Sequence, residues 1–318
     1  MLSNNIVDDD SVFVELNIYR NNTVDDGNIG ELSSVYLDHL QPPSQLWLHN
    51  QLNKILAILG WTYTPPSHWK QCKTKITTYY LPKLNTIFTV IPKAGCTNWK
   101  RALLVAEGTM KDNSSLVHET SDKHSLQATH HKFTDDVLKE AFSFVVIRNP
   151  WTRLVSGYQD KLSNTSNNAY YRGLGKQIVK EFRVIGWITK ALFLENLYPT
   201  FEEFLKYLIK MQGKVDHHFK PQNRIMCLPE CRYDYIVPLE YADVMSQEIW
   251  GKIKTNTTLR AAYDQIQDPR QQSSTLLAKE WVEEMDNKVV DDIYRLFKAD
   301  FVLAKYSNIT DPNFPLPL

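Results

Sequence analysis

A lysine and a glycine stand together where an apolar run gives way to helix-forming residues. The run Thr86–Ile91 is followed by Pro-Lys-Ala-Gly-Cys-Thr-Asn-Trp-Lys, residues 92–100. A strand that turns through glycine into a helix directs backbone N–H groups and the positive helix end at one point, which is how loops hold phosphate-like groups. Lys93 adds a full positive charge there. The segment predicts an anion-binding loop, and an ordinary turn with a solvated lysine is the alternative.

A second group of polar residues follows the apolar run Phe142–Ile147. Asn149 is a favourable N-cap and Pro150 a favourable first helical residue, so a helix is predicted to begin there. Arg148 lies at the carboxyl end of the preceding strand, where open α/β sheets bind ligands. Ser156 falls off the apolar stripe of the helix, and an Arg–Ser pair would hold a second phosphate group. The alternative is an arginine that caps the helix and a solvated serine.

The apolar runs that precede these residues predict the sheet that positions them. Both runs are continuous rather than alternating, which is typical of strands buried on both faces, and a shorter strand is predicted at Tyr233–Pro238. Strands that alternate with helices indicate an α/β fold, with a parallel sheet flanked by helices. Further helices are predicted over Thr200–Gln212, Glu240–Ile253 and Ala278–Lys305. Residues 1–75 are predicted to form a separate N-terminal region of unclear role, and residues 76–318 the functional domain.

Composition excludes several classes of protein. The chain has 318 residues, of which 43% are hydrophobic and 23% charged, so it is globular rather than disordered. Its 36 basic and 36 acidic residues give zero net charge, which disfavours a general nucleic-acid or anionic-membrane binder. Any anion that the protein binds must therefore contact a local cluster of basic residues. No apolar stretch approaches the roughly 20 residues that span a bilayer, and no secretory signal is evident at the N-terminus.

Together the two polar segments resemble the paired signatures of the Golgi carbohydrate sulfotransferases, in the branch that includes the HNK-1, chondroitin 4-O and dermatan 4-O enzymes. The first segment is similar to that family's P-K-x-G-C-T-N-W-K, and Arg148-Asn-Pro-Trp-Thr-Arg-Leu-Val-Ser156 is similar to its R-x-P-x-x-R-x-x-S. The resemblance covers about residues 80–307. Shorter similarities lie at Tyr158–Lys161, Thr200–Leu205, His218–Pro221, Tyr233–Ile236 and Lys298–Phe301.

The resemblance implies a PAPS-dependent sulfotransferase fold with a P-loop-like sheet, and transfer of a sulfuryl group from PAPS to a glycan hydroxyl group. Arg148 and Ser156 would bind the 3′-phosphate of PAPS. The 5′-phosphosulfate would be bound by Lys93, Ala94, Gly95, Cys96, Thr97 and Asn98. Lys93 would also act in catalysis, by stabilising charge on the leaving phosphate. No metal is expected.

The resemblance also implies a place in the cell and a partner. It implies the Golgi lumen or membrane, with membrane attachment only through an anchor that this sequence does not contain. The partner would be a glycan, which includes anionic glycosaminoglycans, and no nucleic acid is expected. The acceptor sugar and its hydroxyl position are not readable from the sequence.

Transfer to a hydroxyl group also needs a proton acceptor, and nine histidines compete for that role. His218 lies in a motif that the resembled branch carries, and it is the first candidate. His131 is the second, because its placement before Arg148 resembles that of the catalytic histidine in heparan 2-O-sulfotransferases. A carboxylate base is a further alternative, for which Glu107 on the helix after the first loop is a candidate.

A basic stripe is predicted to contact the acceptor. If residues 170–185 are helical, their spacing aligns four basic residues on one face: Arg172, Lys176, Lys180 and Arg183. On a neutral protein such a stripe suits a sulfated or uronic-acid-containing chain. A solvated face is the alternative.

Two cysteines follow the His218 segment. The resembled family carries Cys-x-Pro-Cys before its Tyr-Asp strand, whereas this chain has Cys227-Leu-Pro-Glu-Cys231, which is one residue longer. By resemblance a Cys227–Cys231 disulfide is expected. Metal ligation and two thiols are the alternatives.

Two other functions compete with sulfuryl transfer. A P-loop phosphotransferase that uses ATP and Mg²⁺ has the same strand–loop–helix arrangement, but in this chain the lysine precedes a lone glycine and no Lys-Ser/Thr follows. A non-catalytic glycan-binding relative of the sulfotransferases is the third possibility. The presence of Lys93, Arg148 and Ser156 speaks against it.

Overall fold

The computed structural model describes residues 78–110, 134–163, 168–183, 198–228, 231, 233–253 and 270–303. The predicted N-terminal region, residues 1–75, lies outside the described residues. Within these ranges, no helix has the length and apolar character needed to cross a bilayer.

A four-stranded sheet forms the centre of the described part of the chain. Its order is β1-β2-β3-β4, with β1 at Thr78–Leu81, β2 at Thr86–Thr89, β3 at Phe142–Ile147 and β4 at Tyr235–Pro238. Strands β2, β3 and β4 are parallel, as predicted, and the edge strand β1, which was not predicted, is antiparallel to β2. The segments that follow the three parallel strands therefore meet at one edge of the sheet.

The strands are buried on both faces, as their continuous apolar runs predicted. Successive residues of β3 enter different cores: Val145 and Ile147 belong to one apolar cluster, and Phe144 and Val146 to the other. This alternation is the period of two that every strand imposes on its side chains. A sheet with an apolar core on each face needs helices on both sides.

Helices cover both faces. Trp99 from one helix and Trp250 from another stack with ring centroids 5.7 Å apart, and Trp99 meets Phe144 of β3 edge-on. The opposite core contains Trp151, Phe204 and other helical residues. Among the described residues the helices are α1 Cys96–Ala106, α2 Asp135–Glu140, α3 Pro150–Lys161, α4 Ala169–Phe182, α5 Phe201–Lys210, α6 Gln222–Ile225, α7 Ala242–Lys252, α8 Arg270–Glu283, α9 Asn287–Leu296 and α10 Lys298–Leu303.

The single helix predicted over Ala278–Lys305 is wrong. Three helices, α8, α9 and α10, occupy this part of the chain and the residues just before it. The first break lies between α8 and α9. There the side chain of Asp286 accepts a hydrogen bond from the backbone N–H of Lys288 (2.8 Å) and so caps the start of α9. The break lets α9 pack against α5 and brings α10 against α6.

Candidate functional site

The Lys93 loop, residues 92–98, connects β2 to α1. Lys93 and Gly95 both have left-handed backbone conformations, with φ of 71° and 68°. The N–H of Ala94 donates to the carbonyl of Ile91 (3.2 Å), which closes a turn, and Gly95 is the N-cap of the 11-residue helix α1. The N–H of Asn98 donates to the carbonyl of Gly95 (3.2 Å). Because the N–H groups of Cys96 and Thr97 have no acceptor within the helix, the loop can hold an anion at a positive helix end.

Gly95 is required by both conformation and space. A Cβ added there would lie 2.8 Å from Cδ1 of Leu239, which follows β4. Its left-handed φ would also strain any residue that has a side chain. The loop therefore packs directly on the β4 connection, with no room for a larger residue.

Replacing Gly95 by alanine is expected to lower the free energy of unfolding by about 1–3 kcal/mol, from left-handed strain and the contact with Leu239. Gly173→Ala is the matched control, because a Cβ there meets nothing within 4 Å on helix α4. That variant is expected to gain roughly 0.5–1 kcal/mol. Urea denaturation measures both. Equal stabilities would contradict the packing of the loop on Leu239.

The side chain of Lys93 is held by a carboxylate of α3. Its Nζ lies 2.8 Å from Oδ2 of Asp160, and Nζ of Lys161 lies 3.0 Å from the same oxygen. Burial lowers the pKa of Lys93 below its usual value, although Asp160 opposes the shift. Burial alone would raise the pKa of Asp160, but hydrogen bonds and charge from Lys93 and Lys161 bring it below the ordinary range. Two lysine ammonium groups therefore share one carboxylate in the site.

Arg148 joins the ends of β2 and β3. One guanidinium nitrogen, Nη1, donates to the carbonyl oxygen of Lys93 (3.1 Å). Its backbone exchanges two hydrogen bonds with the side chain of Gln222 on α6, at 2.9 and 2.7 Å. The residue is buried. The two predicted segments are therefore brought together, with Arg148 beside the Lys93 loop.

Helix α3 begins as predicted, and Asn149 accepts hydrogen bonds from the backbone N–H groups of Trp151 and Thr152. The N–H of Asn149 itself donates to Oε1 of Glu240 (2.9 Å), so the ends of β3 and β4 are also joined. Ser156 lies half-buried on α3 and makes no hydrogen bond with the residues the structure describes. Its hydroxyl group is available to a ligand.

Arg153 is the fully buried link between the Lys93 loop and the His218 segment, residues 216–221. It donates to the carbonyl oxygens of Pro92 (2.9 Å), Lys220 (2.9 Å) and His217 (3.2 Å). Burial lowers the pKa of Arg153 to about 10, while the charge of Asp300 opposes the shift. The guanidinium stays charged at neutral pH and fixes the His218 segment against α3 and the loop.

His218 is the centre of a small polar group, which we call the His218 triad: His218, Asp216 and Tyr171. Its Nδ1 lies 2.7 Å from Oδ1 of Asp216 and 2.9 Å from the hydroxyl oxygen of Tyr171 on α4. The side chain of His218 is 19% exposed, whereas that of neighbouring His217 is 53% exposed. The structure thus presents an imidazole that is anchored at one nitrogen and reachable by solvent.

The other predicted bases lie elsewhere. His131 lies outside the described residues. Glu107 ends α1 at the far edge of the sheet, where its buried carboxylate accepts from the backbone N–H groups of Lys83 (3.1 Å) and Leu84 (3.2 Å) in the β1–β2 turn. Because α1 begins at the Lys93 loop and runs about 16 Å away from it, Glu107 is remote from the site. Asp160 is instead the carboxylate in contact with Lys93.

Three of the four predicted acceptor residues share a helix face. Arg172, Lys176 and Lys180 lie on α4 at intervals of four, and none of them is buried. Arg183 follows the end of the helix and leaves the stripe, because it forms a two-pronged ion pair with Glu203 of α5 (2.8 and 2.6 Å). The basic stripe is therefore shorter than predicted.

The predicted Cys227–Cys231 disulfide is wrong, because Cys227 is a thiol. Cys227 has a left-handed φ of 57° and begins a turn in which the N–H of Cys231 donates to its carbonyl (2.9 Å). The turn buries Cys231 in the core and leaves Cys227 half-buried.

Sequence reasoning did not assign a role to several residues of the site. Asp160 lies in the Tyr158–Lys161 similarity, Asp216 directly precedes the two histidines, and Arg153 is the second arginine of the R-x-P-x-x-R-x-x-S motif, so each left a local signal. Tyr171 left none, since its partners are distant in sequence.

The chain is similar in sequence to known proteins. A family model described as "Sulfotransferase family" matches residues 77–307. The chain is 24% identical to carbohydrate sulfotransferase 12 of Xenopus laevis over 252 residues, which covers 71% of this chain and 59% of the relative. It is 25% identical to carbohydrate sulfotransferase 11 of Rattus norvegicus over 241 residues, covering 70% of this chain and 64% of the relative.

A shorter alignment reaches higher identity. Carbohydrate sulfotransferase 8 of Mus musculus is 29% identical over 155 residues, which covers 47% of this chain and 36% of the relative. The chain spans less than two thirds of the length of the relatives described here. No solved structure gives a significant match.

Proposed function

Because the chain belongs to the sulfotransferase family, we propose that it transfers the sulfuryl group of PAPS to a hydroxyl group of a glycan. One observation carries the proposal: Arg148 donates to the carbonyl of Lys93 (3.1 Å), so two phosphate-binding candidates far apart in sequence lie side by side. Relatives named carbohydrate sulfotransferases support a sugar acceptor.

The Lys93 loop suits the 5′-phosphosulfate of PAPS. The first-turn N–H groups of α1 at Cys96 and Thr97 supply donors at a positive helix end, and the left-handed Gly95 keeps side-chain bulk away from them. Lys93 adds charge. Arg148 and Ser156 would hold the 3′-phosphate, because a buried guanidinium and an uncommitted hydroxyl suit a phosphate.

In the reaction, the acceptor oxygen forms a bond to sulfur while the bond from sulfur to the bridging phosphate oxygen breaks. The electron pair of that bond stays on the leaving 3′,5′-ADP. Lys93 and the loop N–H groups stabilise the charge that develops there. Nε2 of His218 takes the proton of the hydroxyl group, and the imidazolium later returns it to solvent. These steps require no metal.

The basic stripe on α4 supports an anionic acceptor. Arg172, Lys176 and Lys180 share one face of the helix that also supplies Tyr171 to the His218 triad. A glycosaminoglycan that lies along this face would bring its sugar near the base. By family resemblance, the proposed place of action is the Golgi lumen.

A phosphotransferase that uses ATP and Mg²⁺ is the competing enzyme. Isothermal titration with 3′,5′-ADP and with ATP–Mg²⁺ separates the two, and tight binding of 3′,5′-ADP alone is expected. Transfer of ³⁵S from labelled PAPS to desulfated chondroitin, dermatan, heparosan or N-glycan acceptors tests the activity. Binding without transfer to any of them would favour a non-catalytic glycan-binding protein.

Arg148→Ala is expected to weaken the affinity for 3′,5′-ADP about 10–100-fold, because a charge-assisted hydrogen bond contributes roughly 1.5–3 kcal/mol. Ser156→Ala should weaken it less, about 2–10-fold, since its hydroxyl group is neutral. The control ligand is 5′-AMP, which lacks the 3′-phosphate. Equal losses for both nucleotides would show that these residues do not bind the 3′-phosphate.

The affinity for PAPS is expected to fall as the pH rises. The fall should begin below the usual pKa of a lysine side chain. Burial lowers the pKa of Lys93 in the donor-free protein, so its charge is lost at lower pH than that of an exposed lysine. Loss of the charge removes attraction for the phosphosulfate. Lys93→Arg stays charged throughout and is the control. A flat profile for the wild-type protein up to the ordinary lysine pKa would contradict the assignment.

A further inference from the structure

One carboxylate oxygen organises the His218 triad. Oδ1 of Asp216 lies 2.7 Å from Nδ1 of His218 and also accepts from the backbone N–H of His218 (2.9 Å). The hydroxyl group of Tyr171 donates to the same oxygen (3.2 Å). Among the described residues, all polar contacts of the imidazole are at Nδ1, and Nε2 makes none.

The ionisation of Asp216 decides which ring nitrogen carries a hydrogen. Burial alone would raise the pKa of Asp216, but hydrogen bonds from the ring and backbone of His218 bring it down to about 2. An ionised carboxylate only accepts hydrogen bonds. A bare Nδ1 at 2.7 Å would place two lone pairs against each other, so Nδ1 carries the hydrogen. In the neutral ring the lone pair is then on Nε2.

Tyr171 keeps this arrangement in place. Burial and the neighbouring Asp216 raise the pKa of Tyr171, so it remains a hydroxyl group that donates to the carboxylate. Its ring meets the ring of His218 edge-on, with centroids 5.9 Å apart. Nζ of Lys161 lies 5.2 Å from the centroid of the Tyr171 ring, and Lys161 shares Asp160 with Lys93. A continuous set of contacts thus joins the triad to the Lys93 loop.

We infer that Asp216 is a positioning residue, which holds His218 as the Nδ1–H tautomer so that Nε2 accepts the proton of the sugar hydroxyl group. The inference rests on the proposed function, in which His218 is the base. As the O–H bond breaks, the proton moves to Nε2, and the carboxylate of Asp216 stabilises the resulting imidazolium. Tyr171 contacts Nδ1 of His218 (2.9 Å) and the carboxylate of Asp216 (3.2 Å), and it is likewise a positioning residue.

Asp216→Ala tests the inference in transfer assays. It removes the acceptor of Nδ1–H and leaves the hydroxyl group of Tyr171 2.9 Å from Nδ1, where it donates and favours the opposite tautomer. We therefore expect kcat to fall about 100-fold or more while KM for PAPS changes less than about twofold. Tyr171→Phe keeps the carboxylate and should lower kcat roughly three- to tenfold. Asp216→Glu restores an acceptor and is expected to recover part of the loss. Asp292→Ala, which removes a carboxylate paired with Arg295 on α9, is the matched control.

The tautomer itself is measured by two-bond ¹H–¹⁵N correlation spectra of protein labelled at histidine. The signal of His218 is identified by its loss in His218→Asn. We expect the Nδ1–H pattern in the wild-type protein and the Nε2–H pattern in Asp216→Ala. A purely structural aspartate would change stability without changing the tautomer.

Each outcome separates the two proposals. An Nε2–H pattern in the wild-type protein overturns the inference, whatever the activity. If His218→Asn loses transfer but Asp216→Ala keeps wild-type kcat, the positioning role is wrong and the proposed function stands. If His218→Asn transfers sulfate normally, His218 is not the base and the inference fails with it, whereas sulfuryl transfer itself remains supported.

Discussion

Lys93→Ala is expected to lower kcat for sulfate transfer about 10²–10³-fold at saturating PAPS, the usual effect of removing one charge-stabilising donor from an active site. Lys93 lies in the turn between β2 and α1, and its Nζ is 2.8 Å from Asp160. Lys93 is the charged residue of the loop, residues 92–98, so its removal leaves the loop with only neutral N–H groups to stabilise the phosphate charge. Initial rates with ³⁵S-labelled PAPS measure the loss.

The fold should survive this change. Asp160 keeps its contact with Lys161 (3.0 Å), so no carboxylate is left without a cation. Lys139→Ala, which removes an exposed lysine paired with Asp136 on α2, is the matched control and should transfer normally. Thermal unfolding of both variants checks that they are folded. Near-normal turnover of folded Lys93→Ala at saturating PAPS would refute the donor-site assignment.

His218→Asn is expected to lower kcat about 10²–10⁴-fold, which is the contribution of a positioned general base. Asparagine keeps a polar group of similar reach toward Asp216 but has no group that takes a proton at neutral pH. KM for PAPS should change little, because the Lys93 loop and Arg148 are untouched. Steady-state kinetics with both substrates varied separate the two effects.

The neighbouring His217 supplies the matched control. His217→Asn keeps the carbonyl oxygen that accepts from Arg153 and removes a ring that is 53% exposed. It is expected to retain turnover within about threefold, as surface substitutions usually do. Normal turnover of His218→Asn together with a large loss in Asp160→Asn would instead identify the carboxylate beside Lys93 as the base.

Local sequence was sufficient for the elements that carry the site. Continuous apolar runs predicted β2 and β3, and Asn149 and Pro150 predicted the start of α3, because strand burial and helix capping depend on residues close together in the chain. Gly95 after a strand predicted the turn into α1 for the same reason. The two phosphate-binding candidates and their place at the ends of parallel strands followed from these short-range rules.

Other features required the folded chain. Glu107 was a candidate base until its contact with the β1–β2 turn placed it at the opposite edge of the sheet, and Arg183 left the basic stripe because Glu203 lies within reach. The buried contacts of Arg153 and the contact of Tyr171 with His218 join residues that are more than forty positions apart. Such pairs leave no periodic or capping signal, since they depend on how helices pack on the sheet. The residues that bind can therefore be recognised from short motifs, whereas the residues that orient them are decided by tertiary packing.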